Sequence, residues 1–261
     1  MSAKQINGNK YKGYGAFNDQ FRDSLIKGGL NGVNAKGWVT NTGFQDHKDI
    51  KKMQAGIRGI TLTDSLEIKD PDKTINYVTC HDNYTLYDRI KAAGITDEVT
   101  IKKMAMLANS VVFTSQGTSF MLAGEEFLRT KKGDNNSYNS GYEVNELDYS
   151  LKIKNEDMFE NYQKLIKLKQ VADGLHKNAN ELVQFDTIIN DKNNLVSYKF
   201  RDTKNAKMYY VVHSNGFVSG TKQEIDFSGF ELYLSTVDSN KILSKNTEIT
   251  PYETIIGVKN I

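Results

Sequence analysis

A single cysteine, Cys80, stands in the 261 residues, so no internal disulfide can form and no multi-cysteine zinc site can be built. Proline is nearly missing: with only Pro71 and Pro251, turns must come from the 20 glycines and from Asn and Asp. No apolar run approaches the ~20 residues needed to cross a bilayer. Neither sign of charge is in large excess. The 34 Lys and Arg stand against 32 Asp and Glu, giving a formal net charge of +2 and no reason to expect nucleic acid or a membrane surface as a partner. Met1 to Lys10 lack the apolar stretch and small-residue cleavage site of a signal peptide. If complete as given the chain reads as cytosolic; as part of a longer protein it could equally be secreted or cell-surface. What is present is mixed charge, 14 tyrosines, 12 phenylalanines and one tryptophan, which excludes a disordered tail, a collagen-like fibre or a low-complexity linker. The length suits one ~250-residue barrel or two ordinary domains.

Texture changes near residue 175, which predicts two domains, 1–175 and 176–261. In the first, Tyr14 to Phe17, Ile75 to Cys80 and Thr118 to Ala123 are strand candidates. The spacing predicts a helix from about Asp97 to Phe113, where Ile101, Met104, Ala105, Ala108, Val111 and Val112 make one apolar stripe. A second helix is expected from about Asn155 to Val171, facing inward through Met158, Tyr162, Leu165 and Ile166, and a third from His47 to Ile57. Buried strands each followed by a covering helix build a parallel α/β sheet or barrel; three such units can be counted, where a closed barrel needs eight. The second domain reads as a small antiparallel β-sandwich, with strands around Val196–Phe200, Met208–Val212, Ile225–Phe227, Phe230–Leu234 and Glu253–Val258. Turns are expected at Asn190–Asn194, His213–Gly216 and Asp238–Asn240. This half shows no site chemistry.

The densest polar cluster, His81, Asp82 and Asn83, follows the second strand candidate, where strand–helix barrels carry their catalytic groups. Side chains alternate along a strand, so His81 and Asp82 can share a cleft only if the strand stops near Cys80. A helix-capping Asp beside a satisfied histidine is the competing explanation, and the spacing alone leaves both open. A second cluster follows the third strand: Glu125, Glu126, Arg129, Tyr138, Asn139 and Tyr142 suit a sugar-binding rim, in which Asn bonds hydroxyl pairs and Tyr faces the apolar side of a pyranose. The plainer explanation there is a solvated loop with a Glu–Arg ion pair. Trp38 could stack on a sugar or anchor its loop, and His47 and His176 are expected to be solvated. Nucleophile-elbow, P-loop, H-E-x-x-H and EF-hand patterns are absent.

Four blocks in order carry a family resemblance: the stretch from Phe17 to Gly28, Tyr77 to Asn83, Ala123 to Lys131, and Asn136 to Ser140. Tyr77 to Asn83 resembles the strand-seven region of the alpha-amylase superfamily of glycoside hydrolases, and the four together resemble type I pullulanase. The resemblance runs from about Tyr14 to the end of the chain. It implies the last three strand-helix units, strands six to eight, of a (β/α)8 TIM barrel, followed by that family's carboxy-terminal β-sandwich. It implies retaining hydrolysis of α-1,6 branch links in pullulan, amylopectin or glycogen, which needs a nucleophile and a general acid around an oxocarbenium-like transition state. Asp82 would take the role of the third, transition-state-stabilising carboxylate and His81 would donate to a sugar hydroxyl. Asn83, Arg129, Tyr138 and Asn139 would line the cleft. The family's nucleophile and acid motifs, on strands four and five, have no match here, so the chain alone is expected to be inactive. Gly141-Tyr142 replaces the family's usual Pro-Asp, removing a carboxylate from the rim. No cofactor is required, a structural calcium is left open, and the missing amino-terminal part of the barrel is an expected partner. Two other possibilities are a non-catalytic glucan-binding module derived from such a hydrolase, and an unrelated strand–helix enzyme using His81 and Asp82 as an acid/base pair.

Overall fold

A computed structural model describes residues 14–261 apart from 30, 33, 42–46, 63–67, 177–183, 190–193 and 217–222. The described elements in the first 175 residues are β1 (Ala16–Phe17), α1 (Asp19–Ile26), α2 (His47–Ile57), β2 (Thr74–Asn76), α3 (Leu86–Ala92), α4 (Glu98–Phe113), β3 (Thr118–Ser119), α5 (Tyr142–Asn145), α6 (Ser150–Lys154) and α7 (Glu156–Val171). The strands β4 (Gln184–Ile189), β5 (Asn194–Asp202), β6 (Lys207–Ser214), β7 (Gln223–Ile225), β8 (Glu231–Ser235), β9 (Thr247–Ile249) and β10 (Thr254–Asn260) follow. The chain is thus strand–helix in its first part and all-β after it.

β1, β2 and β3 form a parallel sheet in that order, registered Phe17 opposite Ile75 and Ile75 opposite Thr118. These strands are shorter than their apolar runs suggest: pairing ends at Asn76 and Ser119, and the remaining β-branched and aromatic residues continue as irregular backbone. Side chains therefore supply much of the lateral tie. Asn76 is fully buried; its amide donates to Gly56 O (2.8 Å) and Gln116 O (3.0 Å) and accepts from Asn18 Nδ2 (3.0 Å). Asn18 in turn caps α1 by accepting from the Phe21 amide at 3.0 Å. Asp97 and Thr85 cap α4 and α3 in the same way.

α4 is buried over nearly its whole circumference from Met104 to Phe113, not along one stripe, because a second sheet covers its other side. That sheet runs β4-β5-β6-β10-β8, antiparallel throughout, beside a separate β7-β9 pair. Its side chains alternate between two cores. Val196, Tyr198, Phe200, Val211 and Ile256 join α4 and α7 in the main core; Leu195, Met208, Val212 and Ile255 pack against Ile225 and Ile249 of the β7-β9 pair and Phe227 just after β7. β4 and β9 have no counterpart in the sequence expectation, and most of the anticipated 190–194 turn lies outside the described residues. The turn expected at His213–Gly216 is displaced, since β6 runs on through Ser214. Trp38 is an anchor, 2% exposed in the main core with its amide donating to Ser24 O at 2.8 Å, so it is not open to a sugar.

A buried polar knot joins the carboxyl end of α4 to the antiparallel sheet. Tyr198 Oη donates to Thr114 Oγ1 (2.5 Å) and lies 3.1 Å from His213 Nε2, while His213 Nδ1 lies 2.8 Å from Thr254 Oγ1. Burial lowers the His213 pKa to about 3. The unfolded chain therefore takes up this proton near pH 6.5 while the folded chain resists it, so the contribution is present above about pH 6.5 and lost as pH falls toward 3. Urea midpoints of the wild type should fall more steeply than those of His213→Gln across that window; parallel pH dependences would refute the assignment.

Candidate active site

Beyond Asn76 the chain runs through Tyr77, Val78, Thr79 and Cys80 into three bend residues, His81, Asp82 and Asn83. Asn83 adopts φ +64°, a left-handed conformation that Asn tolerates better than most residues. With the strand ended, His81 and Asp82 come to one side, Nε2 to Oδ1 at 3.4 Å, their side chains 85% and 70% exposed. Asp82, Asn83, Cys80 and Tyr84 line a cleft with Arg22 and Tyr77. Tyr77 Oη donates to Asp19 Oδ1 and accepts from Arg22, both at 2.6 Å. Burial and the Asp19 bond raise the Tyr77 pKa, so the phenol keeps its proton. Burial opposes the Arg22 charge, but Asp23, Tyr77 and Asp19 outweigh it and raise its pKa. Gly28 and Gly29 press on Arg22: an added Cβ would lie 2.9 and 2.7 Å from its side chain.

The second cluster divides in two. Glu125 is buried and not on a rim: its carboxyl accepts from Thr79 Oγ1 and from Asn109 Nδ2 (2.9 Å). Burial drives its pKa up to about 7 against these bonds. Glu126 accepts from the Gly124 amide at 2.8 Å, and glycine is favoured at 124 by φ +96° and because an added Cβ would lie 2.7 Å from Arg129 Cβ. Arg129 is half-buried and donates to Asn145 O (2.7 Å) and Ala123 O (3.3 Å), bracing its own loop. Tyr138 and Asn139 are exposed on the single-turn helix Ser137–Asn139, and Tyr142 and Tyr149 also present their rings to solvent. Among the described residues, Arg129, Tyr138 and Asn139 share no hydrogen bond with the His81–Asn83 turn. His176 is exposed, its Nε2 2.6 Å from Lys169 O.

Residues that sequence reasoning missed fasten the two loops together. Asp88 Oδ2 accepts from Thr85 Oγ1 (2.8 Å) and the Lys131 amide (2.7 Å), and Asp88 Oδ1 from Thr130 Oγ1 (2.6 Å). Lys131 Nζ donates to His81 O (2.6 Å) and Asn83 O (3.0 Å). Lys131 closes the Ala123–Lys131 block, but nothing local marks its inward turn, since its partners His81, Asn83 and Asp88 lie 50, 48 and 43 residues earlier. Among the described residues the one grouping able to converge on a metal ion is Cys80, His81 and Asp82, with donor atoms within 4.8 Å of one another. Calcium takes six to eight oxygens, and this thiol, imidazole and single carboxylate do not fit it.

No family model matches the chain. Pullulanase from Bacillus subtilis (strain 168) is 28% identical over 206 residues, 77% of this chain but 28% of that protein. The crystal structure of pullulanase from Paenibacillus barengoltzii in complex with maltohexaose and alpha-cyclodextrin superposes with a TM-score of 0.81 at 26% identity, covering 98% of this chain and 40% of that one. Pullulanase from Bacillus acidopullulyticus gives a TM-score of 0.77 at 29% identity, over 94% of this chain and 30% of that one. The chain is thus similar to pullulanases along most of its length while spanning less than half of theirs.

The raised pKa of Glu125 yields a signed test. A buried carboxyl with folded pKa about 7 contributes stability that is full below its ordinary 4.5 and is lost as pH rises through 7. Glu125→Gln should therefore match the wild type near pH 4.5 and exceed it at pH 8 by on the order of 3 kcal/mol in denaturant titrations. A constant difference between the two proteins would show that Glu125 does not titrate in this way.

Proposed function

We propose that the chain is the carboxy-terminal portion of a pullulanase-like debranching hydrolase, acting on α-1,6-glucosidic branch links of pullulan, starch or glycogen by a retaining mechanism. β1, β2 and β3 with their helices would be strands six to eight of a (β/α)8 barrel, within residues 1–175, and residues 176–261 an antiparallel sandwich covering it. The observation that carries the proposal is the His81-Asp82-Asn83 turn beyond the carboxyl end of the central parallel strand, in a chain similar to pullulanases along its length.

In this site Asp82 accepts from ring hydroxyls and its negative charge stabilises the sugar as positive charge develops at the anomeric carbon. His81, 3.4 Å from Asp82, donates to a hydroxyl of the same sugar, and Asn83 lines the cleft. Such bonds tighten as the ring flattens and so favour the transition state over the bound substrate. Arg129 braces the loop that carries Tyr138 and Asn139, whose exposure suits a sugar rim. The reaction needs two further carboxyl groups, and Glu125 supplies neither because it is buried against Thr79 and Asn109. The 261 residues by themselves would therefore bind glucan without cleaving it, and the rest of a barrel is the partner that completes the site. Retaining glycoside hydrolysis runs on carboxyl groups and water, so no cofactor is called for. The exposed rings of Tyr138, Tyr142 and Tyr149 also favour a second reading, a glucan-binding module without turnover.

Calorimetric titration of the folded chain with maltotriose should show binding that Asp82→Asn weakens about tenfold, the scale of a lost charged hydrogen bond. Tyr138→Ala should weaken it less. Incubation with pullulan should release no reducing sugar. Absence of glucan binding by the folded chain would reject both readings, and turnover by the chain alone would reject the division of catalytic groups.

A further inference from the structure

Residues 80–84, which carry the candidate catalytic pair, make no main-chain to main-chain hydrogen bond among the described residues. The turn is nonetheless bent three times and holds Asn83 in a left-handed conformation. Something outside the turn must fix it. Upstream, Thr79 is tied to Glu125, and downstream Thr85 caps α3. Between these two points the two carbonyls of His81 and Asn83 converge on one group, the Lys131 ammonium, at 2.6 and 3.0 Å.

We infer that Lys131 is a positioning residue, an internal cation that holds the His81-Asp82-Asn83 turn in its sugar-facing shape through two main-chain carbonyls. Only 3% of Lys131 is exposed, and its amide is fixed by Asp88, which is itself 5% exposed and bonded to Thr85 and Thr130. The ammonium is therefore delivered from a rigid base. A buried ammonium must find acceptors, and the two carbonyls of this turn are the ones it has been given. Burial and Arg129 work against its charge, and the carboxylates of Asp134, Asp82 and Asp88 work for it. Asp82 thus lies in the field of the cation that shapes its own turn. The inference deepens the proposed function and rests on it only where glucan binding is concerned.

The test follows the ring signals of the four histidines by 1H–13C NMR in the full chain. In Lys131→Met the His81 signal should broaden and shift while that of His213, buried in the distant polar knot, stays in place. Maltotriose affinity should fall roughly tenfold, and Lys131→Arg, which keeps the charge and donors, should recover part of both. An unchanged His81 signal in folded Lys131→Met would overturn the inference. So would His81 and His213 signals that move together, since that would mark a general loss of stability. If Lys131→Met does not fold, Asp88→Asn, which loosens the base of the lysine together with the Thr85 and Thr130 bonds, should give a smaller shift confined to His81; no shift there would be equally fatal. A His81 response in a chain whose wild type binds no maltotriose would leave the positioning role standing and remove the glucan reading.

Discussion

Parallel strands of two or three residues cannot hold a sheet by their ladder alone, and the whole candidate site depends on how that deficit is met. Asn76 meets it. Its single amide reaches Gly56 O, Gln116 O and Asn18, so the end of β2 is tied to the residues around α2, the approach to β3 and the cap of α1 together. All three bonds are buried, where an unmade bond is most costly. Pairing stops immediately after this residue, and that stop frees Tyr77 to Asn83 to turn His81 and Asp82 toward one side. The same pattern continues outward. The loops above the sheet are held by Glu125, Asp88 and Lys131 reaching across the chain, not by regular secondary structure.

Among the described residues the all-β part adds no side chain to the His81–Asn83 turn, but it fixes the helix from which the site is supported. α4 carries Asn109, which bonds Glu125 on one side and Tyr162 of α7 on the other. α4 also carries Thr114, which meets Tyr198 in the knot with His213. The antiparallel sheet thus bears on the helix whose opposite face holds Glu125, and Glu125 holds Thr79, two residues before His81. Each of these side-chain ties is a buried hydrogen bond.

Much of this was legible in the sequence, and what escaped has a common cause. The helix from about Asp97 to Phe113, the extent of α7 after Asn155, and the polar cluster at His81 are local patterns, and local patterns survive without tertiary knowledge. Strand lengths were overstated because the apolar runs Tyr77–Cys80 and Met121–Ala123 read as pairing residues although the ladder stops at Asn76 and Ser119, with one further bond from Phe120 N to Asn76 O. The burial of Trp38 and Glu125, and the role of Lys131, depend on contacts separated by many residues. A loop of Lys, Gly, Asp and Asn such as 131–136 has the composition of a solvated surface whether or not one of its lysines turns inward. β9 was missed for the opposite reason, since three residues give no period to read.

The contrast between Asp82 and Glu125 shows how one sheet can separate the work of two carboxyl groups. Both follow parallel strands that are neighbours, β2 and β3. Asp82 is exposed beside an imidazole, its oxygens open to accept from a ligand's hydroxyls. Glu125 is closed off among Thr79, Asn109 and the main core, and burial brings its pKa to about 7, where it trades its charge for the role of a strut. Environment, not residue type, has assigned the roles. The adjacent pair Glu125-Glu126 therefore cannot be read as two spare catalytic acids. One is a buried tie to the segment leading into the candidate site, and the other bonds the amide of Gly124. If the proposed hydrolase chemistry holds, its covalent step must draw on carboxyl groups other than this pair, while Asp82 supplies the field in which that step would occur.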